Sequence, residues 1–186
     1  MSSKNASVSW KENTRLGAIV LAACVLIAVF VLAPVKLSGA RNEAKDVFRN
    51  GTEKGITVSV YTDLVAMAEN ANRLANFASA QLGEDNKDVS TLKDSAKKIL
   101  EAKNEKTMLQ AYSDIALASD NVYTRLTGSA KDDAKAAYVN IDNYVSTIKR
   151  DSYFSYADKF NRSRNSFPTI ILAGLFGIDE MPTLGK

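Results

Sequence analysis

The chain has 186 residues, a formal net charge of +3, one cysteine, three prolines and no histidine. This length suits a single domain of ordinary size. The missing histidine excludes the commonest general base and transition-metal ligand, and the single cysteine excludes zinc-finger, iron–sulfur and disulfide frameworks. Basic and acidic residues are nearly balanced, which disfavours nucleic-acid binding. We therefore expect no catalytic residues, no metal, no cofactor and no nucleic-acid partner.

After a short N-terminal tail at residues 1–15, an uncharged run of twenty residues extends from Leu16 to Val35. As a helix it spans about 30 Å, which is the thickness of the hydrocarbon core of a bilayer. The run therefore predicts a transmembrane helix at residues 16–35, which would make membrane lipid one partner of the protein.

Two alternatives to an uncleaved anchor exist. The run is long for the apolar part of a signal peptide, and only Ser38-Gly39-Ala40 resembles a cleavage site. Leu21-Ala22-Ala23-Cys24 fits a bacterial lipoprotein processing site, but the residues after Cys24 continue apolar to Ala33. We favour the uncleaved anchor, in which Cys24 is a small apolar residue facing lipid, and leave lipidation of Cys24 open.

The basic residues on either side of this run predict its orientation. Three precede it (Lys4, Lys11 and Arg15), and five lie in the twenty residues after it (Lys36, Arg41, Lys45, Arg49 and Lys54). Lysine and arginine accumulate on the cytoplasmic side. By this small margin we predict a single-pass protein of the cell membrane whose C-terminal domain is cytoplasmic.

Residues 36–166 have the pattern of an all-helical domain. No proline occurs between Pro34 and Pro168, and Gly83 and Gly128 stand beside polar turn-forming residues, where a helix can end. Four amphipathic segments result, at about 40–82, 89–102, 106–126 and 129–166. Four helices that each bury one face predict an antiparallel four-helix bundle.

Apolar residues at alternating spacings of three and four mark the buried faces. The strongest sets are Val60, Leu64, Met67, Ala71, Leu74 and Ala78; Val89, Leu92, Ala96, Ile99 and Leu100; Met108, Tyr112, Ile115, Ser119, Val122 and Leu126; and Tyr138, Ile141, Val145, Ile148, Tyr156 and Phe160. We expect a kink or frayed turn between Gly51 and Val60. We also expect a break at Lys103–Glu105, although no glycine or proline marks it.

The C-terminal residues 167–186 begin with an apolar segment that is too short to span a membrane. From the helix lengths, the fourth helix ends near the membrane, so this segment either packs against the bundle or lies in the lipid interface. We favour packing. In the interface alternative, Lys159, Arg162 and Arg164 could reach lipid phosphates.

A segment near the C-terminal end of the chain resembles the LemA family. Tyr153-Phe154, Phe160-Asn161 and the run from Phe167-Pro168 through an aliphatic stretch to Phe176-Gly177 are similar to the family's signature. The likeness covers about residues 149–178. It implies a divergent member: a bacterial, membrane-anchored helical domain without established catalytic activity. The candidate interaction segment is therefore Phe160, Asn161, Phe167, Pro168, Leu172, Leu175 and Phe176.

Two functions fit these features. The first is a non-enzymatic scaffold or adaptor for protein or membrane organisation, with an unidentified protein partner and room for oligomerisation. The alternative is a ligand-sensing bundle that signals through a partner subunit. In that case tyrosines would line a pocket (Tyr112, Tyr138, Tyr144, Tyr153 and Tyr156), although at helical spacing such residues are more often packing residues.

Overall fold

The computed structural model describes residues 14–52 and 58–184, and within these residues it contains helices and no strand. The α-helices are α1 (Thr14–Ile27), α2 (Ala33–Asn50), α3 (Val60–Leu82), α4 (Lys87–Glu101), α5 (Glu105–Arg125), α6 (Gly128–Lys149), α7 (Tyr153–Arg164) and α8 (Thr169–Leu175). A π-helical turn at Ala28–Leu32 joins α1 to α2. The prediction of an all-helical protein is confirmed.

The N-terminal element is one continuous helix from Leu16 to Asn50. Its N-terminal half is long and apolar enough to cross a membrane, and no other part of the described chain covers that half. A signal sequence near an N-terminus can meet the same criterion of length and apolar composition. Most of the predicted N-terminal tail, residues 1–13, lies outside the described residues.

The predicted breaks coincide with side-chain caps and glycines. Gly83 ends α3 with φ of 87°, and Gly128 begins α6 with φ of 58°. At the break without glycine, the Asn104 side chain accepts a hydrogen bond from the Thr107 backbone N–H at 2.9 Å. This contact replaces an intrahelical partner that the first turn of α5 lacks.

The predicted kink or frayed turn between Gly51 and Val60 also coincides with the end of a helix. The chain leaves α2 at Asn50 and enters α3 at Val60, so the predicted interruption is confirmed, although Lys54 and Gly55 lie outside the described residues. Ser59 begins α3 through a reciprocal capping box. Its hydroxyl accepts from the Thr62 N–H, and its own N–H donates to the Thr62 hydroxyl.

The fourth predicted segment is wrong as a single helix. It is divided into α6 and α7 at residues 150–152, where Arg150 has left regular helical geometry, with φ of −100° and ψ of 0°. The Asp151 carboxylate accepts a hydrogen bond from the Tyr153 N–H at 2.7 Å. Aspartate competes with the helix for backbone donors in this way, which favours a new helix start.

The predicted stripes form most of the core. Every predicted position of α3 and α5 is buried. On α4, however, Leu100 is 49% exposed. It lies about 100° around the helix from the buried Ile99, on the side facing away from the rest of the core. Tyr138, Val145 and Tyr156 are half-buried rather than fully enclosed.

The helices pack in two groups. α3 packs against α4, α5 and α6, and α5 also packs against α4 and α6. α2 packs chiefly against α7, with smaller contacts to α3 and α8. The C-terminal helices therefore lie on the helix that continues from the apolar run.

Candidate functional site

The site begins where α7 meets α2. Tyr153, the first residue of α7, places its ring edge-on against Phe48, two residues before the end of α2, with ring centroids 5.0 Å apart. Because α7 packs extensively against α2 from this starting point, it must run back toward the apolar half of that helix. The twelve residues of α7 extend about 17 Å. Arg164 therefore lies level with about Leu37.

Tyr153 fastens the end of the chain to this helix pair. Its side chain is completely buried, and its hydroxyl donates a hydrogen bond to the Pro182 carbonyl at 2.8 Å. Burial, and secondarily the charge of Glu105, raises the pKa of Tyr153 far above its ordinary value. The hydroxyl therefore remains a neutral donor at any physiological pH.

Asn161 makes a second contact with the C-terminal tail. Its side-chain amide donates to the Met181 carbonyl at 2.8 Å, and its carbonyl oxygen accepts from the Met181 N–H, also at 2.8 Å. Arg164 adds a hydrogen bond from Nε to the Ile178 carbonyl at 2.8 Å. Together these contacts fold residues 178–184 back along α7. We call this segment the tail lock.

The tail lock is the main feature that the sequence analysis missed. Asn161 directly follows the buried Phe160 on the inner face of α7, and it is itself buried. An asparagine on a core-facing stripe needs partners for its amide, because an unpaired buried polar group is costly. That requirement was the available signal, but only the structure identifies the partner.

α8 has two different sides. Leu172 is 2% exposed and Ala173 is equally enclosed, so this side packs against the protein. The other side, together with the residues that flank the helix, presents five large apolar side chains to the exterior, which we call the α8 apolar face: Phe167, Ile170, Ile171, Leu175 and Phe176. Packing against the protein therefore accounts for only one side of the apolar segment.

The candidate interaction residues are divided between these environments. Phe160, Asn161 and Leu172 are buried. Phe167, Pro168, Leu175 and Phe176 are exposed. The first group holds the C-terminal elements together, and only the second group is accessible to a partner.

The basic residues near α8 are also not equivalent. Lys159 and Arg162 are exposed. Arg164 is instead half-buried and engaged with the tail, since in addition to Ile178 it contacts Glu180 across 3.8 Å. The expectation that all three could serve lipid phosphates is therefore wrong for Arg164.

Two acidic residues, Asp63 and Asp151, lie near each other at the N-terminal end of α7. Asp63, in the first turn of α3, is buried, and its Oδ2 atom has no hydrogen-bond partner among the described residues. Burial, and then the nearby charge of Asp151, raises the pKa of Asp63.

In the described part of the chain, no group of three or more acidic or thiol side chains is arranged to hold a metal ion.

The tyrosines are largely engaged in contacts within the chain. Tyr112 borders an open groove of about 410 Å³ between α5 and α6, but its hydroxyl donates to the Val145 carbonyl. Burial raises the pKa of Tyr112 to about 12. Tyr138 donates to Asp120 and stacks on Tyr123, with centroids 4.1 Å apart.

No protein-family model, no curated protein and no solved structure matches this chain.

Proposed function

We propose that this protein is a non-enzymatic, single-pass membrane scaffold or adaptor that holds a helical bundle beside the bilayer. The observation that best supports this proposal is the unbroken helix from Leu16 to Asn50. Its apolar half is uncovered by the protein, and its polar half is packed against α7 and α8. The LemA resemblance implies the same arrangement and supplies no catalytic residue.

Membrane anchorage is supported by the exposure of the apolar half. From Leu16 to Val35 the helix exposes large aliphatic side chains around its whole circumference. A helix that is apolar on all sides is stable only when it is enclosed, and nothing in the described protein encloses it. A bilayer provides that environment at the matching length.

Contacts between α3 and α6 support an antiparallel four-helix bundle as the displayed domain. The Gln81 side chain hydrogen-bonds to Thr127, and the Asn140 side chain hydrogen-bonds to Asn70. The end of α3 therefore lies beside the start of α6, so the two helices run antiparallel. Consecutive helices joined by only two to four residues favour the same alternation for α3 to α6.

The scaffold function is supported over ligand sensing by the tyrosine contacts. Tyr112, Tyr138 and Tyr153 each direct the hydroxyl to another part of the chain. A sensing pocket would need such groups aimed into a cavity. The groove beside Tyr112 is open rather than enclosed.

The experiment for topology uses cysteine accessibility. In a Cys24→Ala background, Ser129→Cys places a thiol at an exposed site at the start of α6. The cytoplasmic assignment predicts that a membrane-impermeant maleimide labels it only after cells are permeabilised, whereas Ser3→Cys in the N-terminal tail is labelled in intact cells. The reverse pattern would refute the orientation, and equal labelling of both would refute a single span.

The scaffold role is tested by photo-crosslinking in intact membranes. A crosslinker at the exposed Leu117 of α5 should give discrete protein adducts. A crosslinker at the buried Ile115 should give none and serves as the control. Absence of adducts from Leu117 and from other exposed positions of the bundle would contradict an adaptor function.

A further inference from the structure

We propose that the α8 apolar face docks into the headgroup region of the same bilayer that the N-terminal helix crosses. This inference rests on the membrane anchorage in the proposed function and adds a second lipid contact. The juxtaposition that carries it is an exposed apolar helix face held against α2 beside the end of the apolar run.

The level of α8 along α2 is fixed by the chain. α7 starts beside Phe48 and ends about level with Leu37, one residue after Lys36, the first charged residue beyond the apolar run. α8 follows within five residues and contacts both α2 and α7. It therefore lies at the height where the anchor leaves the hydrocarbon.

The exposure of this face is concentrated rather than scattered. Phe167 is 83% exposed and Leu175 is 68% exposed, and they share one short segment with three further exposed apolar side chains. The bundle helices also expose apolar residues, but singly, as at Phe77 and Leu117. Clustered exposure of this kind marks an interaction surface, whereas single residues need no explanation.

Continuity with the anchor identifies lipid as the occupant. A face at this height meets headgroups and the upper acyl chains whenever the anchor is inserted, without any further partner. Aromatic and aliphatic side chains next to exposed basic residues are typical of interfacial helices. On α8 and its flanks these are Phe167 and Phe176, with Lys159 and Arg162 on the preceding helix.

The charges around the face indicate an apolar rather than an electrostatic attachment. Exposed Lys159 and Arg162 are balanced by exposed Asp158 and Asp179. A lipid contact governed by charge would need a basic excess. We therefore expect docking on zwitterionic phosphatidylcholine, with little dependence on added salt.

The test measures contact with lipid directly in the full-length protein. It is reconstituted in phosphatidylcholine vesicles as two single-cysteine variants in a Cys24→Ala background, each carrying the same environment-sensitive fluorophore. Leu175→Cys reports on α8. Leu117→Cys is the matched control, because Leu117 is also 68% exposed. It lies three turns along α5 from Glu105, which contacts Arg49 near the far end of α2.

Lipids that carry a quencher near the headgroup should reduce emission at position 175 at least twofold more than at position 117. Equal quenching at the two positions would overturn the inference. So would a blue-shifted label at position 175 that lipid quenchers do not reach, because a protein surface, such as a second copy of the chain, would then cover the face.

A third label separates this inference from the proposed anchorage. Native Cys24 is exposed in the apolar run and reports on the span itself. Quenching of a Cys24 label by a mid-chain quencher, without quenching at position 175, would overturn only the docking of α8. Failure to quench at Cys24 would overturn the membrane anchor.

Discussion

Asn161→Ala should release the C-terminal tail while the helices remain folded. The substitution removes both hydrogen bonds to Met181, whose backbone N–H and carbonyl are buried with Asn161. Each buried polar group left without a partner costs about 1–3 kcal/mol, so we expect about 2–6 kcal/mol for the pair. At about 1.4 kcal/mol per factor of ten, local opening of the tail becomes about 30-fold to 20,000-fold more frequent.

Hydrogen exchange followed by mass spectrometry on the full-length protein in nanodiscs measures this opening. Peptides from residues 178–184 should lose protection by that factor, whereas peptides from α3 to α6 should not change. Asn165→Ala is the control, one turn further along, where an exposed amide donates to Glu180 and accepts from Arg164. Unchanged protection in the Asn161 variant, or an equal loss in the control, would refute the assignment of the tail lock to Asn161.

Three further predictions follow from burial. Leu172→Ala should lower the free energy of unfolding by about 2–4 kcal/mol, whereas Leu175→Ala should lower it by less than about 0.5 kcal/mol. Urea titrations measure both losses, and equal losses would contradict the two-sided description of α8. Tyr153→Phe leaves the Pro182 carbonyl unpaired and should lower stability in the same titration by about 1–2 kcal/mol. Asp63→Asn should raise the thermal midpoint at pH 7, because folding raises the pKa of Asp63 and therefore penalises its ionised form. That gain should vanish below the ordinary carboxyl range, where the aspartate is protonated in both states.

The regular parts of the fold could be predicted from periodicity. The residues from Val60 to Ala78 on the α3 stripe are buried as predicted, because one helical face must be covered by the others. The sequence predicts a break at Lys103–Glu105 although no glycine or proline marks it, and the structure supplies the physical cause, a side-chain cap at Asn104.

The missed features depend on contacts between distant positions. Helix α6 ends just before Asp151, whose side chain caps the start of α7. The apolar spacing continues on both sides of this break and therefore predicts a single helix. The partner of Asn161 is twenty residues away, and no periodicity connects them. The division of α8 into two sides depends on where α2 lies, which spacing within α8 alone does not reveal.

The junction between the α2–α7 pair and the packed helices α3 to α6 follows from these same contacts. The chain enters α3 beside Arg49, whose carbonyl accepts from the Ser59 hydroxyl. After α6 it returns to α2 at Tyr153, beside Phe48. Entry and exit therefore share one end of α2, and α2 and α7 form a two-helix stalk below it.

A stalk of two packed helices transmits displacement better than a single strand of chain, because bending it requires the Phe48 and Tyr153 contact to open. α8 packs against its lower end, and the tail lock runs along α7 from Arg164 to Tyr153. At its upper end the Asp63 carboxyl is buried close to the charge of Asp151, and its Oδ2 atom has no hydrogen-bond partner among the described residues. A movement of helices α3 to α6 relative to the stalk should therefore begin at the end of α2 near Phe48. We therefore expect Asp63→Asn to stabilise the protein while hydrogen exchange of residues 178–184 stays unchanged, and a change of protection in those residues would contradict this location.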